Sequence, residues 1–388
     1  MDKTIQKFTI LSISLLSMAV TAASPALGDI SKAFPDTRQN IIMLIVSLPA
    51  LLIIPFTLIC GKLSSIMSKR KLLFIGLILF IIGGVSPSFS NSITFILGMR
   101  AVLGIGVGFI MPLATGLIAD FYHGEELAAM MGLQSAFVNV GAIITSLIAG
   151  FLSVINWHYT FFVYVCGIGV LLLTFFKLPE PEKTSHSNKE KPSLSISVYV
   201  ISFLLLIYGL FLFSFFTNTA MVITGENLGN AASAGVAITM MTVGGLIAGI
   251  FFGKVSQALK RFTLAASVIL TGIGFIMLSY SHNYHLILAA AVMSGIGFGT
   301  TMPTVMIKVS NLAPKDAATF AIAIATSAMS LGQFLSPLVL SWIGQLAGNG
   351  SGRFSFLLSG VGILIGGLLL LVQARRLEMR PSNAVDGE

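Results

Sequence analysis

This chain carries little charge: lysine, arginine, aspartate and glutamate together make up 9% of its 388 residues. An ordinary soluble domain carries about 25%, so a fold wrapped in solvated side chains is excluded. Cysteine is nearly absent. Cys60 and Cys166 lie far apart in apolar runs, which excludes a disulfide framework and reads them as packing residues. The five histidines, at positions 123, 158, 186, 282 and 285, show neither metal-ligand spacing nor a partner nucleophile, and His282 and His285 alone are too weak a signal for a metal pair. No Gly-x-x-x-x-Gly-Lys-Ser/Thr loop occurs, which excludes ATP-driven pumping by this chain alone. These absences speak against an enzyme, and neither a metal nor a cofactor is expected.

What is abundant is hydrocarbon. Hydrophobic residues make up 55% of the chain, in apolar stretches that recur every ~30 residues, each long enough for the ~20 residues of a membrane-crossing helix. The pattern predicts an all-α integral membrane protein of about twelve spans, from Phe8–Ala26 at the start to Phe354–Val372 at the end. Lysine and arginine accumulate in cytoplasmic loops. With both termini placed there, 18 of the 22 basic residues fall on the cytoplasmic side, Lys32, Arg38 and Arg353 fall in outer loops, and Arg100 lies inside a span. The net charge of +8 is therefore a topology signal that places the chain in a cell membrane, and it is not a sign of nucleic-acid binding. The first apolar run is longer than a usual signal-peptide core and is followed by further spans, so it reads as a span.

The chain also nearly repeats itself. Gly104-Ile-Gly-Val-Gly-Phe-Ile-Met-Pro112 returns as Gly295-Ile-Gly-Phe-Gly-Thr-Thr-Met-Pro303, an offset of 191 residues. The same offset carries Gly141 to Gly332, and an offset of 192 carries Gly61-Lys-Leu-Ser to Gly253-Lys-Val-Ser. This period is far longer than the 20 to 50 residues or so of a solenoid. In an apolar chain, a two-fold duplication is the usual plan of a secondary transporter. The expected organisation is a six-helix half over 1–177, a polar linker over 178–195 and a second six-helix half over 196–388, closing around a central cavity.

Several residues stand out for chemistry. Arg100 lies about seven residues into its span, where a charged side chain costs about 2.5–3.5 kcal/mol or more, and its counterpart in the second half is Ala291. Proton-coupled carriers commonly use a buried carboxylate, yet no acidic residue lies deep in a predicted span. Asp29, Asp36 and Glu226 fall at outer ends and Asp120 at an inner one. One expectation is that Asp29 or Asp36 pairs with Arg100 and that proton uptake breaks the pair; ordinary solvated helix-end charges are the alternative. Gln134, Asn139, Asn218 and Gln333 are uncharged amides able to orient a ligand, and Met111 and Met302 offer an adaptable apolar wall. Gly104 with Gly108, and Gly295 with Gly299, permit close helix approach. Pro112 and Pro303 each remove a backbone hydrogen bond and kink their helices.

These residues resemble the major facilitator superfamily, and within it the twelve-helix drug:proton antiporters. The loop Gly61-Lys-Leu-Ser-Ser-Ile-Met-Ser-Lys-Arg-Lys71 is similar to that family's Gly-x-Leu-Ala-Asp-Arg-x-Gly-Arg-Lys loop at Gly61, Leu63 and the basic cluster Lys69, Arg70 and Lys71. Ser65 stands in place of the acid that helps latch the cytoplasmic gate in the family. Arg100-Ala-Val-Leu-Gly-Ile-Gly resembles its Arg-x-x-x-Gly-x-Gly motif, which the family ties to proton coupling. The fifth span keeps Gly141 and Gly150 of an export-associated Gly-x-x-x-Gly-Pro motif, while the eleventh keeps Gly332 and Pro337. The resemblance implies a monomeric carrier that exports lipophilic or amphipathic small molecules in exchange for protons. A facilitator or exporter of another small solute, and a membrane sensor on the same fold, are the alternatives.

Overall fold

A computed structural model of the chain describes residues 3–17, 19–64, 66–122, 124–178, 194–314 and 318–378. The greater part of the expected linker, 179–193, lies outside them. The described residues are helical apart from short connections, with α1 Lys3–Ser14, α2 Leu27–Ala33, α3 Gln39–Leu63, α4 Lys69–Val85, α5 Ile93–Phe121, α6 Gly124–Ile155 and α7 Cys166–Lys177 in the first half. The second half holds α8 Ile196–Gly225, α9 Ala231–Leu259, α10 Thr263–Tyr280, α11 Tyr284–Leu312, α12 Ala318–Leu346 and α13 Gly352–Glu378. Ten stretches are long and apolar enough to cross a membrane, and one of them, Ala231–Tyr280, is α9 and α10 joined through one short turn. The first span lies outside these ten. It is interrupted, running from α1 through the 3-10 segment Ala19–Ala26 to α2, where a continuous helix over Phe8–Ala26 was expected. Together these make the twelve crossings. Large apolar side chains such as Phe151, Phe203 and Leu369, each more than half exposed, form the kind of surface a bilayer covers.

The repeat holds at the level of contacts. A Cβ on Gly106 of α5 would press on the backbone of Phe80 and Gly76 in α4, and one on Gly297 of α11 would press on Thr271 and Ser267 in α10. Gly104 lies against Pro49 of α3, and Gly295 lies against Met241 of α9. Gly141 of α6 meets the Leu15 carbonyl, and Gly332 of α12 meets that of Leu206. Each pair is related by 191 or 192 residues, so the two halves are built on one plan of small residues that lets helix backbones touch. Gly61 is the exception, because a Cβ there would meet nothing within 4 Å. Gly61, at the head of the loop that resembles the family's gate motif, thus stands in open space in this structure.

The halves meet through α6 against α9 and α3 against α12. Gly150 approaches the Ala231 carbonyl, with 2.8 Å left for an added Cβ, and Gly235 approaches that of Ser146, with 2.7 Å. Gly28 of α2 abuts Thr224 of α8, and the Gln39 amide reaches the Met221 sulfur at 2.8 Å. All these contacts lie at the end of the molecule away from the chain termini. Toward the termini, the interface helices are uncovered. In α6 no residue from 131 to 140 is buried, and in α9 none from 249 to 259 is. The molecule is closed between its halves at one end and open at the other.

Candidate functional site

Two features of the first half converge on one buried cation. Pro49 sits inside α3, and because proline has no N–H, the carbonyl four residues earlier, on Ile45, has no helical donor. The interrupted first span likewise leaves irregular backbone inside the bundle, with Pro25 in its 3-10 segment. Arg100 of α5, fully buried, answers both. Its Nε donates to the Ile45 carbonyl at 2.6 Å, one terminal nitrogen donates to the Val20 carbonyl at 2.6 Å, and the other donates to the Tyr164 hydroxyl at 2.7 Å. The guanidinium also stands 5.3 Å from the Tyr164 ring centroid, within cation–π range. Tyr164 leans on Phe80, with ring centroids 5.5 Å apart, and only a glycine at 84 leaves room for it. Away from water, these charge-assisted bonds are what make a buried guanidinium tolerable.

The expected Arg100 partners are elsewhere. Asp29 accepts from the Ser153 hydroxyl at 3.0 Å and lies 3.8 Å from Lys32, while Asp36 is exposed. Carbonyl oxygens took the place expected for a carboxylate, because proline and the interrupted helix had already freed them. Asp29 instead belongs to the closed end, one residue from the Gly28–Thr224 contact between the halves.

The remaining polar candidates divide into two groups. At the open end, Gln134 donates to the Thr115 hydroxyl at 3.0 Å and Asn139 donates to the Ser135 carbonyl at 2.9 Å. Both amides are part-exposed, as are Met111, Met302 and Gln333. Asn218 is buried and donates to the Ser214 carbonyl at 3.0 Å. It sits with Gln39, Met43 and Pro337 around a residual space of only about 10 Å³ at the closed end, so it is sealed from the cavity in this conformation.

At the end bearing the termini, the Lys69 ammonium lies 2.8 and 2.7 Å from the two Asp120 carboxylate oxygens. The Arg70 guanidinium donates to the Phe175 carbonyl at 2.5 Å. Lys69 thus ties the start of α4 to the end of α5 although Ser65 offers no carboxylate. A second pair was not anticipated. Arg353, at the start of α13, forks onto Glu226 and also donates to the Ser279 and Ser281 carbonyls at 3.0 and 2.8 Å, binding the ends of α8, α10 and α13. Its only sequence signal is an acid and a base at two outer connections of the second half, 127 residues apart. Thr57 was also missed, and its signal was readable: its hydroxyl reaches the Gly108 carbonyl at 3.3 Å, which Pro112 leaves without a helical donor.

Comparison with known proteins agrees with this architecture. The family model described as Major Facilitator Superfamily matches residues 9–225 and again 201–387. The quinolone resistance protein NorA of Staphylococcus aureus (strain COL) is 25% identical over 345 residues, covering 84% of this chain and 87% of that protein. Among solved structures, a POT family transporter in complex with a thioalcohol-conjugated peptide superposes with a TM-score of 0.76 at 14% identity, covering 96% of each chain. A D-xylose–proton symporter gives 0.75 at 18% identity, covering 94% of this chain and 97% of that one. Such identities carry the fold alone. With duplicated helical halves that meet at one end and are uncovered at the other, and a family model matched across nearly its whole length, this multi-pass membrane chain belongs to the Major Facilitator Superfamily and is a transporter, not an enzyme.

Proposed function

We propose that this transporter exports lipophilic or amphipathic small molecules across the cell membrane by alternating access, in exchange for protons. The halves 1–177 and 196–388 rock about the linker 178–195, with both termini cytoplasmic and the observed opening facing the cytoplasm. The observation that carries the reading is the chemistry of that opening. The uncovered stretch 131–140 of α6, together with Thr326, Ser327, Ser330 and Gln333 among the exposed and part-exposed residues of α12, holds amides, hydroxyls, aliphatic groups, the Met131 thioether and the Phe137 ring but no charged side chain. Such a wall suits an apolar or amphipathic cargo with a few polar groups to orient it and offers an ion little to pair with. The distant likeness to NorA, named for quinolone resistance, agrees. Gln134, Asn139, Gln333, Met111 and Met302 are proposed to meet the substrate, and Asn218 is proposed to meet it only when the closed end opens.

Asp29 is the carboxylate we assign to proton coupling. It stands at the closed end, held by Ser153 and Lys32. Protonation removes its charge and weakens both contacts, which loosens the hold of α6 on α2 beside the Gly28–Thr224 contact with α8. Arg100 serves the same step indirectly by holding the interrupted first span on which Asp29 is mounted.

Purified protein in proteoliposomes loaded with a pH-sensitive dye tests this directly. Adding lipophilic cations or neutral amphiphiles is expected to move protons, and Asp29→Asn is expected to abolish that movement while substrate binding persists. A second reading, facilitation or export of another solute without proton exchange, is favoured by one observation: among the described residues, carboxylates sit only near helix ends. Flux of a polar solute with no pH response would replace the first reading with the second.

A further inference from the structure

The second half contains a large cavity. It has a volume of about 850 Å³ and lies between α8, α10, α11 and α13 at the end bearing the termini, within the range of about 300–1,000 Å³ that holds small-molecule ligands. Its wall is mostly aliphatic. The deeper polar groups are already engaged, Tyr208 with the Thr271 hydroxyl at 3.2 Å and Thr301 with that of Ser267 at 2.9 Å. Lys308, Asn311 and Gln373 remain near the helix ends.

The repeat supplies the control. Ile13 and Leu117 are fully buried in the first half. Their counterparts at an offset of 191 are Leu204, 51% exposed, and Lys308, also exposed. Asp120, which pairs with Lys69, is matched by Asn311, which carries no charge to pair. Helices α8 and α13 touch nearer the closed end, where the Ser214 and Ser359 hydroxyls lie 2.9 Å apart, and they part toward the termini. The first half is packed and tied shut at this level, while the second half is open and carries a lysine where a leucine would have filled it.

Position and charge identify the occupant. Ile196, Phe203 and Leu369, next to the cavity, are strongly exposed apolar side chains, so it opens through the face that the bilayer hydrocarbon covers. Lys260, Arg261, Arg375 and Arg376 lie at the same end. Among the described side chains of the second half, the one carboxylate is Glu226, at the opposite end. We propose that this cavity holds an acyl chain of an anionic phospholipid from the leaflet at the termini end, with the lipid phosphate against Lys308 and with Asn311 and Gln373 as hydrogen-bonding neighbours. The site rests on the membrane fold alone and needs no assumption about the cargo.

The test uses the full chain in phosphatidylcholine vesicles containing a phosphatidylglycerol with a photoreactive group midway along one acyl chain, followed by peptide mapping. Labelling is expected to concentrate on 196–211 and 362–373. Lys308→Gln removes one basic contact to an anionic headgroup and is expected to lower that labelling about fivefold. Gly366→Phe is expected to lower it as well, because a Cβ there meets nothing within 4 Å and the ring enters the cavity without moving backbone. A phosphatidylcholine probe is expected to label these peptides no better than the phosphatidylglycerol probe labels Lys308→Gln. Equal labelling by the two headgroups would overturn the proposal, as would labelling that Gly366→Phe blocks but Lys308→Gln leaves intact. Labelling that neither variant changes would overturn it too.

Discussion

The two halves share one glycine scaffold yet fill the space around their fourth helices differently. In the first half, Arg100, Tyr164 and Gly84 form a polar clamp on main-chain carbonyls. In the second, Ala291 replaces the arginine, and Phe275, matching Gly84, packs its ring 6.3 Å from that of Phe356. The helix breakers change with them. Pro25 and Pro49 correspond to Phe216 and Met241, and α8 runs unbroken for 30 residues where the first span is interrupted. Arginine, its two prolines and the broken span occur together in one half and are absent together from the other. This teaches that the arginine belongs to the interrupted backbone and not to the fold as such. Around the fourth helix, one half is locally unwound and held by the hydrogen bonds of Arg100, and the other has Ala291 and a Phe275–Phe356 ring contact.

The largest effect should come from breaking the clamp. Arg100→Ala removes the donor that two buried carbonyls and the Tyr164 hydroxyl share, and is expected to cost about 3–5 kcal/mol, read as a large fall in the thermal midpoint of detergent-purified protein. Arg100→Lys should rescue little, since an ammonium cannot reproduce the planar fork. Testing what the halves share comes next. Gly106→Val and Gly297→Val each drive a side chain into a neighbouring backbone and should cost about 1–3 kcal/mol apiece, by similar amounts. A loss confined to one half would break the symmetry inferred from contacts. The smallest effect should come from the ion pair. Asp120→Asn unpairs Lys69, whose side chain is 20% exposed, and should cost about 1 kcal/mol. Asn311→Ala, at the matching position, should stay within about 0.5 kcal/mol.

Much of this was legible in the sequence because membrane hydrocarbon imposes simple rules. Apolar runs of sufficient length must be helices, and the glycines recurring at a fixed offset marked the contacts that both halves keep. The break in the first span was not legible. Ala19–Ala26 is made of small residues, and its one local sign is Pro25, which does not tell it from α3 or α5, where prolines sit inside unbroken helices. The donor that its backbone receives comes from Arg100, 80 residues from Val20. The same distance hid the partners of Arg100: an arginine in hydrocarbon called for a carboxylate, whereas the prolines four residues beyond Ile45 and Gly108 were the better pointers to unsatisfied acceptors. Asp120 and Lys69 were each placed at the correct helix ends, but their meeting depends on how α4 packs against α5, which no local pattern encodes.

The most direct measurement is a double-mutant cycle between Arg100→Ala and Pro49→Ala, with stability read from reversible unfolding in mixed micelles. Pro49→Ala gives the Ile45 carbonyl a helical donor of its own, so the account predicts that removing Arg100 costs about 1–3 kcal/mol less in that background than in the native one. Strict additivity of the two substitutions would contradict it, and would mean that Arg100 is held for a purpose other than completing the backbone of the first half.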